Sequence, residues 1–482
     1  MRHVSDYYDT TYSYTYDNNG NILTVSDGTN TTSYVYDSAN QLIRENNPYA
    51  QKTWTWTYDN AGNILTRYEY AYTTGALGTA TDTVVYTYGD SNWGDLLTKY
   101  DGTDISYDAI GNTLTDGTWT YEWKRGRQLV SMTEADDNVT WSFGYDANGM
   151  RTSRTNGSTT YTYTYNGDRL TGLTIGNNTL YFNYGANGTP MSVIYNGTYY
   201  YYITNIQGDI VAITNSSGSI VVRYTYDAWG NILSTTGSMA TTLGMHNPLR
   251  YRGYVYDQET SLYYLQSRYY NPELGRFINA DKYTSTGQNI LGSNMFVYCN
   301  NNPVMYTDPT GEFAISTLVL VIAGIAVLTT ASAITYGAIT DTPVVLDISL
   351  SVGVGADVGV KVGLSVVLDF KNESFGFYPH YGCYYGMKFN AIGVSYSVGL
   401  ISNYENEGDY AGPFTSMGGG YLVGIDHCYD PRYDHDGTVK ANSLTFGNNK
   451  GVYYGYDYYG YWGSVPFLWR GLINVFENNI RC

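Results

Sequence analysis

Residues 56–65 read WTYDNAGNIL and residues 224–233 read YTYDAWGNIL, and the reading of these two stretches decides the fold. In each, large and small side chains alternate up to a Tyr-Asp pair, which is the period of two expected of a pleated strand. A Gly follows three positions after the Asp, where a tight turn needs positive φ, and two aliphatic residues then start a returning strand. Further copies are YTYDNNGNIL at 14–23, YVYDSANQLI at 34–43 and SYDAIGNTL at 106–114, so the unit recurs about every twenty residues. A single hairpin cannot bury its own apolar face, and successive units must therefore stack edge to edge. The spacing predicts one continuous antiparallel sheet over residues 12–311 with little helix. Asn19-Gly20, Asn148-Gly149 and Asn187-Gly188 are expected to supply its positive-φ hairpin turns.

Composition agrees with this and excludes other classes. With 57 Tyr, 54 Gly and only 14% charged residues, the 482-residue chain is neither charge-rich disorder nor a helical protein. Its formal net charge of −18 and the lack of any Lys or Arg run leave no basis for a nucleic-acid partner of the repeats. The cysteines Cys299, Cys383, Cys428 and Cys482 are too scattered for a disulfide framework or a C-x-x-C metal site, and no cofactor is expected. The start, MRHVSDYYDTTYSYTYD, lacks a basic stretch followed by an apolar one, so conventional export is not encoded there. Met1 runs almost directly into a repeat, which suggests a truncated or split shell with an N-terminal fragment as partner.

The copies lead into YRGYVYDQETSLYYLQSRYYNPELGRFINADKY at 251–283 and NMFVYCNNNPVMYTDPTG at 294–311. Together these resemble the Rhs family of YD-repeat proteins, with its repeat-associated core and closing NNPxxxxDPxG signature. The resemblance covers roughly the first 311 residues: repeats at 1–240 and the core at 241–311. It implies a mainly β fold, a cocoon-like β-hairpin shell such as those of Rhs toxins, Tc toxin C subunits and teneurins, which encloses or displays a C-terminal cargo. It also implies an immunity protein as partner, and delivery to the cell surface or outside by a non-classical route.

Past Gly311 the pattern changes. Residues 313–340, FAISTLVLVIAGIAVLTTASAITYGAIT, carry no charge over more than the roughly 20 residues a membrane-crossing helix needs. An apolar, transmembrane helix is expected over 312–342. From 344 to 368 the even positions are apolar, while the odd positions from Asp347 to Ser365 are only Asp, Ser, Gly or Lys. Such alternation predicts a hairpin turning at Gly355-Ala356-Asp357, with arms long enough to cross a bilayer. Tyr- and Gly-rich strands continue to Tyr461, so 343–482 is expected to be an antiparallel β domain.

Two groups of residues could carry chemistry. In self-cleaving relatives, Asp side chains near the end of the core cut the chain just beyond DPxG. By resemblance Asp308 and Asp281 form that pair, one as base and one as acid, with Arg276 holding one of them ionised. Asp281 is followed by Lys282 where the family usually has Pro, and DPTG runs into Glu312 where cutting members often have an aliphatic residue. Asp308-Pro309-Thr310-Gly311 also reads as a plain turn. The second group is IDHCYDPRYDHDG from Ile425, in which His427, Asp434 and His435 could serve an enzyme or simply occupy a surface loop.

Three functions fit. The regular apolar face of 344–368 favours a shell carrying a membrane-active effector; the alternatives are a shell with a nuclease or peptidase tip and a non-catalytic adhesion module. A membrane or a cell-surface glycan is then a further candidate partner, since the Tyr-Asp units offer aromatic surface for sugars, although packing between hairpins explains those rings equally well.

Overall fold

The structure is a computed structural model that describes residues 2–4, 11–185, 188–283, 290–354, 358–371, 374–388, 392–402, 412–429, 440–459 and 463–466. For residues 316–328, 347–362 and 382–396, and from 402 onward, that description is of the backbone. The chain divides into two compact units, Met1–Leu318 and Val319–Cys482.

The first unit is built almost entirely of antiparallel strands that pair in sequence order. Ten strands, from Arg2–Val4 to Thr103–Asp104, form one sheet, and fourteen, from Ser106–Tyr107 to Ile232–Thr236, form a second. The expected single sheet is thus divided at Ile105. Residues 89–98 before it lack the alternation of a strand, and Leu96 and Leu97 turn into the interior instead, at 8% and 1% exposure. The ladder resumes beyond them, Tyr86 pairing with Tyr100, and the division comes only at Ile105, which is itself buried at 7% exposure.

The hydrogen bonds explain why Tyr and Asp recur together. In the third copy, one carboxylate oxygen of Asp59 accepts the backbone N–H groups of Ala61 and Asn63 at 2.8 and 2.9 Å, and the other accepts Asn63 Nδ2 at 2.9 Å. Asp17, Asp37, Asp108 and Asp227 repeat the pattern with Asn21, Gln41, Asn112 and Asn231. One residue per turn is left-handed, Gly20 at φ 89° and Gly149 at φ 87°, whereas Asn19 and Asn148 are not. The loop is therefore an Asp-anchored turn rather than the two-residue Asn-Gly turn expected; Asn187 lies outside the described residues. The Tyr at this position of the unit, followed by Asp in most copies and by Gly89 after Tyr88, reaches back one unit. Tyr36 donates to the Ile22 carbonyl at 2.7 Å, Tyr58 to Leu42, Tyr88 to Ile64, Tyr145 to Leu129 and Tyr226 to Ile210.

Residues 241–311 close the unit. Four short strands, Val255–Asp257, Leu262–Tyr264, Tyr269–Asn271 and Arg276–Phe277, pair in order. Their tyrosines pack with the repeats: Tyr251, Tyr263 and Tyr270 are at most 2% exposed and donate to the Ala228, Gly230 and Trp229 carbonyls of the last Asp turn. The asparagines of the closing signature do the same at the other sheet. Asn302 donates to Asn21 and Asn40, Asn301 to Gln41 and Gly62, and Asn294 to Ala61 and Asn63. To present these side chains, Cys299, Asn300 and Asn301 are all left-handed, at φ 51–56°.

The two sheets also meet at a pair of carboxylates. Glu45, fully buried, accepts the Ala228 N–H and Asn47 Nδ2, both at 2.9 Å, beside Asp227. Burial, and then the Asp227 charge, push Glu45 up to about 8. Burial likewise pushes Asp227 up to about 6.

In the second unit, the hairpin expected over 344–368 is present. Val344–Val354 pairs with Val358–Asp369 in the register Val344↔Leu368 to Val354↔Val358, and the turn at 355–357 lies outside the described residues. The long strand Lys440–Tyr459 pairs with Ile392–Ser402 through its first part and with Ser374–Lys388 through its second. Together with Val344–Val354 and Val358–Asp369, these pairings run in a closed circuit of five strands. A 24-residue α-helix, Thr317–Thr340, occupies the charge-free segment. Its described end packs Ala333, Ile334 and Ala338 around Val344, Phe370 and Val398. Among the described residues no helix is long and apolar enough to cross a membrane, so the transmembrane expectation gains no support.

Two predictions follow from this bonding. Asp59→Ala removes the acceptor of three hydrogen bonds and should cost about 1–3 kcal/mol of stability, read as a lowered denaturation midpoint. Folded Glu45 holds its proton more tightly than the unfolded chain does, so stability present in acid is lost as pH rises from the ordinary carboxylate range toward about 8. Glu45→Gln should flatten that decline in a series of melting temperatures between mildly acid and mildly alkaline pH.

Candidate functional site

Asp281 and Asp308, 27 positions apart in sequence, meet on one guanidinium. Arg268 Nη2 lies 3.0 Å from Asp281 Oδ2 and 3.3 Å from Asp308 Oδ2, with all three side chains buried. Each partner is held by backbone. Asp281 follows the strand Arg276–Phe277, its N–H donates to the Met295 carbonyl at 2.9 Å, and Arg127 donates to the carbonyls of Ala280 and Asp281. Asp308 follows the short strand Tyr306–Thr307, and its N–H donates to Tyr254 Oη at 2.7 Å. Arg276, expected to support this pair, is committed elsewhere: it donates to Asn63, Tyr88 and the Asp95 carbonyl.

The peptide bond after Gly311 is gripped at both ends. Its carbonyl accepts Arg268 Nε–H and, at 2.9 Å, the Ser267 hydroxyl, whose one proton it shares with the Thr310 carbonyl at 2.7 Å. Its nitrogen, that of Glu312, donates to Asp308 Oδ1 at 2.9 Å, and the Phe313 N–H donates to the same oxygen at 3.1 Å. Gly311 has φ 73°, and an added Cβ would sit 2.7 Å from the Leu265 carbonyl oxygen and 2.8 Å from Ser267 Oγ. No side chain fits there. The glycine lets the carbonyl reach its two donors.

Burial raises the Asp308 carboxyl above its usual range, against the opposing pull of Arg268 and the two N–H donors. Burial also lowers the Arg268 guanidinium from its ordinary value, and Asp281 and Asp308 oppose that. The nearby Cys299 thiol is pushed well up by burial, so it offers no thiolate nucleophile. The arrangement thus presents a carbonyl held by donors, a carboxyl oxygen accepting from the amide nitrogen of the same peptide bond, and a second carboxyl on the same guanidinium, groups of the kind amide hydrolysis uses.

Ser267 and Arg268 were not singled out from the sequence, although both stand in the quoted motif. Two arginines, Arg268 and Arg276, flank the same Tyr-Tyr-Asn-Pro turn, and only the fold distinguishes them. The second candidate group is not assembled here. Asp434 and His435 lie outside the described residues. His427 is described by its backbone, within the strand Gly412–Tyr429 opposite Asn442.

Comparison with known proteins bears on both fold and site. The teneurin YD-shell family model matches residues 30–304. A tRNA3(Ser)-specific nuclease WapA from Bacillus spizizenii is 40% identical over 222 residues, covering 45% of this chain and 9% of the relative. Toxin protein Tse5 from Pseudomonas aeruginosa is 41% identical over 64 residues, covering 13% of this chain and 5% of the relative. The chain thus spans a tenth or less of the length of these relatives. Among solved structures, the TcdB2-TccC3-Cdc42 complex matches with a TM-score of 0.52 at 20% identity, over 63% of this chain and 17% of that one, a likeness of fold. With the family model matching more than half of the residues, and the Tyr-Asp units, core and closing signature in place, the chain belongs to the teneurin YD-shell family, within the Rhs/YD-repeat group.

Proposed function

We propose that this chain is the C-terminal part of an Rhs-type polymorphic toxin, a YD shell that cuts itself after Gly311 and so separates residues 312–482 as the effector. The observation that carries the cutting is the double grip on one peptide bond, with its carbonyl on Arg268 and Ser267 and its nitrogen on Asp308. In this reading water adds to the Gly311 carbonyl carbon while Asp281 takes its proton. Arg268 and Ser267 stabilise the oxyanion, Asp308 protonates the Glu312 nitrogen, and the C–N bond breaks. The products are a Gly311 carboxylate and a Glu312 amine.

For the effector, the names of the relatives favour a nuclease over a membrane-active protein: three matching WapA proteins are named as tRNA nucleases. An immunity protein that blocks the effector, and use against competing bacteria, follow from the same reading, as does delivery outside the producing cell. A second reading, contact with a membrane, draws on one observation. In the hairpin domain Leu364 and Tyr381 are 36% and 63% exposed while Ser365 and Ser397 are buried, beside the apolar cluster of Val344, Phe370 and Val398.

Two outcomes test these readings. Mass spectrometry of the purified chain should find fragments 1–311 and 312–482, Asp308→Asn should stay whole, and Ser267→Ala should cut about 100-fold more slowly; an uncut unmutated chain would remove the proposal. Separately, the cut protein should degrade purified tRNA while leaving dye-loaded liposomes intact. Dye release without RNA cleavage would replace the nuclease reading with the membrane one.

A further inference from the structure

Two consecutive side chains, Lys282 and Tyr283, meet two consecutive side chains, Glu312 and Phe313, in the same order. Asp281 shares Arg268 with Asp308. Lys282 Nζ makes an ion pair with Glu312 Oε1. The ring of Tyr283 lies 5.4 Å from that of Phe313, tilted by 31°, and Lys282 Nζ sits 5.0 Å over the Tyr283 ring. Lys282 and Glu312 thus lie against each other beside the proposed cut.

We infer that Lys282 and Tyr283 read the first two residues beyond the cut, so that this site selects an acidic residue followed by an aromatic one. The inference rests on the self-cleavage reading and adds a recognition step to it. Arg268 and Ser267 fix the Gly311 side of the bond, but the Glu312 side is held at the backbone by Asp308 alone, which any residue would satisfy. The ion pair and the ring contact add a dependence on side-chain identity. They also fix the backbone of 312–313 relative to the segment that carries Asp281, so the carboxyl and the bond it serves move as one body. A polar, half-exposed pair contributes little to global stability, and its effect belongs in positioning.

The test is the rate at which freshly synthesised full-length chain yields 1–311 and 312–482. Glu312→Lys and Lys282→Glu, each placing like charges together, should each slow cutting about tenfold, and the loss should shrink at high salt. The double variant Lys282→Glu/Glu312→Lys restores the pair in reverse and should cut within about threefold of the original rate. Phe313→Ala should slow cutting about threefold, and Phe313→Tyr should not. Single variants that cut at the original rate, or a double variant slower than either single, would overturn the recognition step while leaving self-cleavage intact. If the unmutated chain itself stays whole, both the cleavage reading and this inference fall.

Discussion

The shell rests on one recurrent bond, the donation by a tyrosine hydroxyl to a backbone carbonyl one unit back. Each acceptor stands at the start of a returning strand, and a carbonyl left unpaired inside packed sheets would cost more than most side-chain contacts return. Tyr36, Tyr58, Tyr88, Tyr145 and Tyr226 each satisfy such a carbonyl while their rings fill the space between units. The Asp that follows in most copies is anchored in turn by its own loop. Tyr ties a unit to its predecessor and Asp ties the unit to itself, so neither can change alone. The core reuses the device, with Tyr251, Tyr263 and Tyr270 taking three consecutive carbonyls of the final turn.

Much of this is legible in the sequence because it is repeated. The copies at 14–23, 56–65 and 224–233 align without gaps, and the strict alternation of 344–368 fixes a hairpin whose register pairs Val344 with Leu368. Less legible is whatever depends on a single long-range contact. The division of the sheets at Ile105, itself buried at 7% exposure, is one such feature, because Thr103–Asp104 and Ser106–Tyr107 read as one run in the sequence. Arg268 and Arg276 are equally placed around their turn. Only the packing of Tyr88 and Asn63 against one of them leaves the other for the carboxylates. Lys282 and Glu312 look like two independent weaknesses of a motif until the fold brings them together.

The candidate site shows how a turn and a reactive group can be the same object. Asp308 accepts the N–H groups of Glu312 and Phe313 as any turn-forming Asp would. What distinguishes it from Asp59 or Asp227 is the opposite side of the peptide bond, where Gly311 turns its carbonyl to Arg268 and Ser267. Burial keeps the Asp308 carboxyl protonated to higher pH than an exposed turn would allow. The chemistry is added to turn geometry by its surroundings.

The asparagines that clamp the first sheet also set an order of events. Asn302 bonds Asn21 across 281 positions, and Asn294 bonds Asn63 across 231. During synthesis the turns at Asn21 and Asn63 must therefore wait for more than two hundred further residues before their capping partners exist. Those asparagines precede Asp308 by only a few residues. The chain can thus complete the Asp281–Arg268–Asp308 cluster only once the segment that locks these turns has been made, and the cleavage proposed there would be timed by assembly.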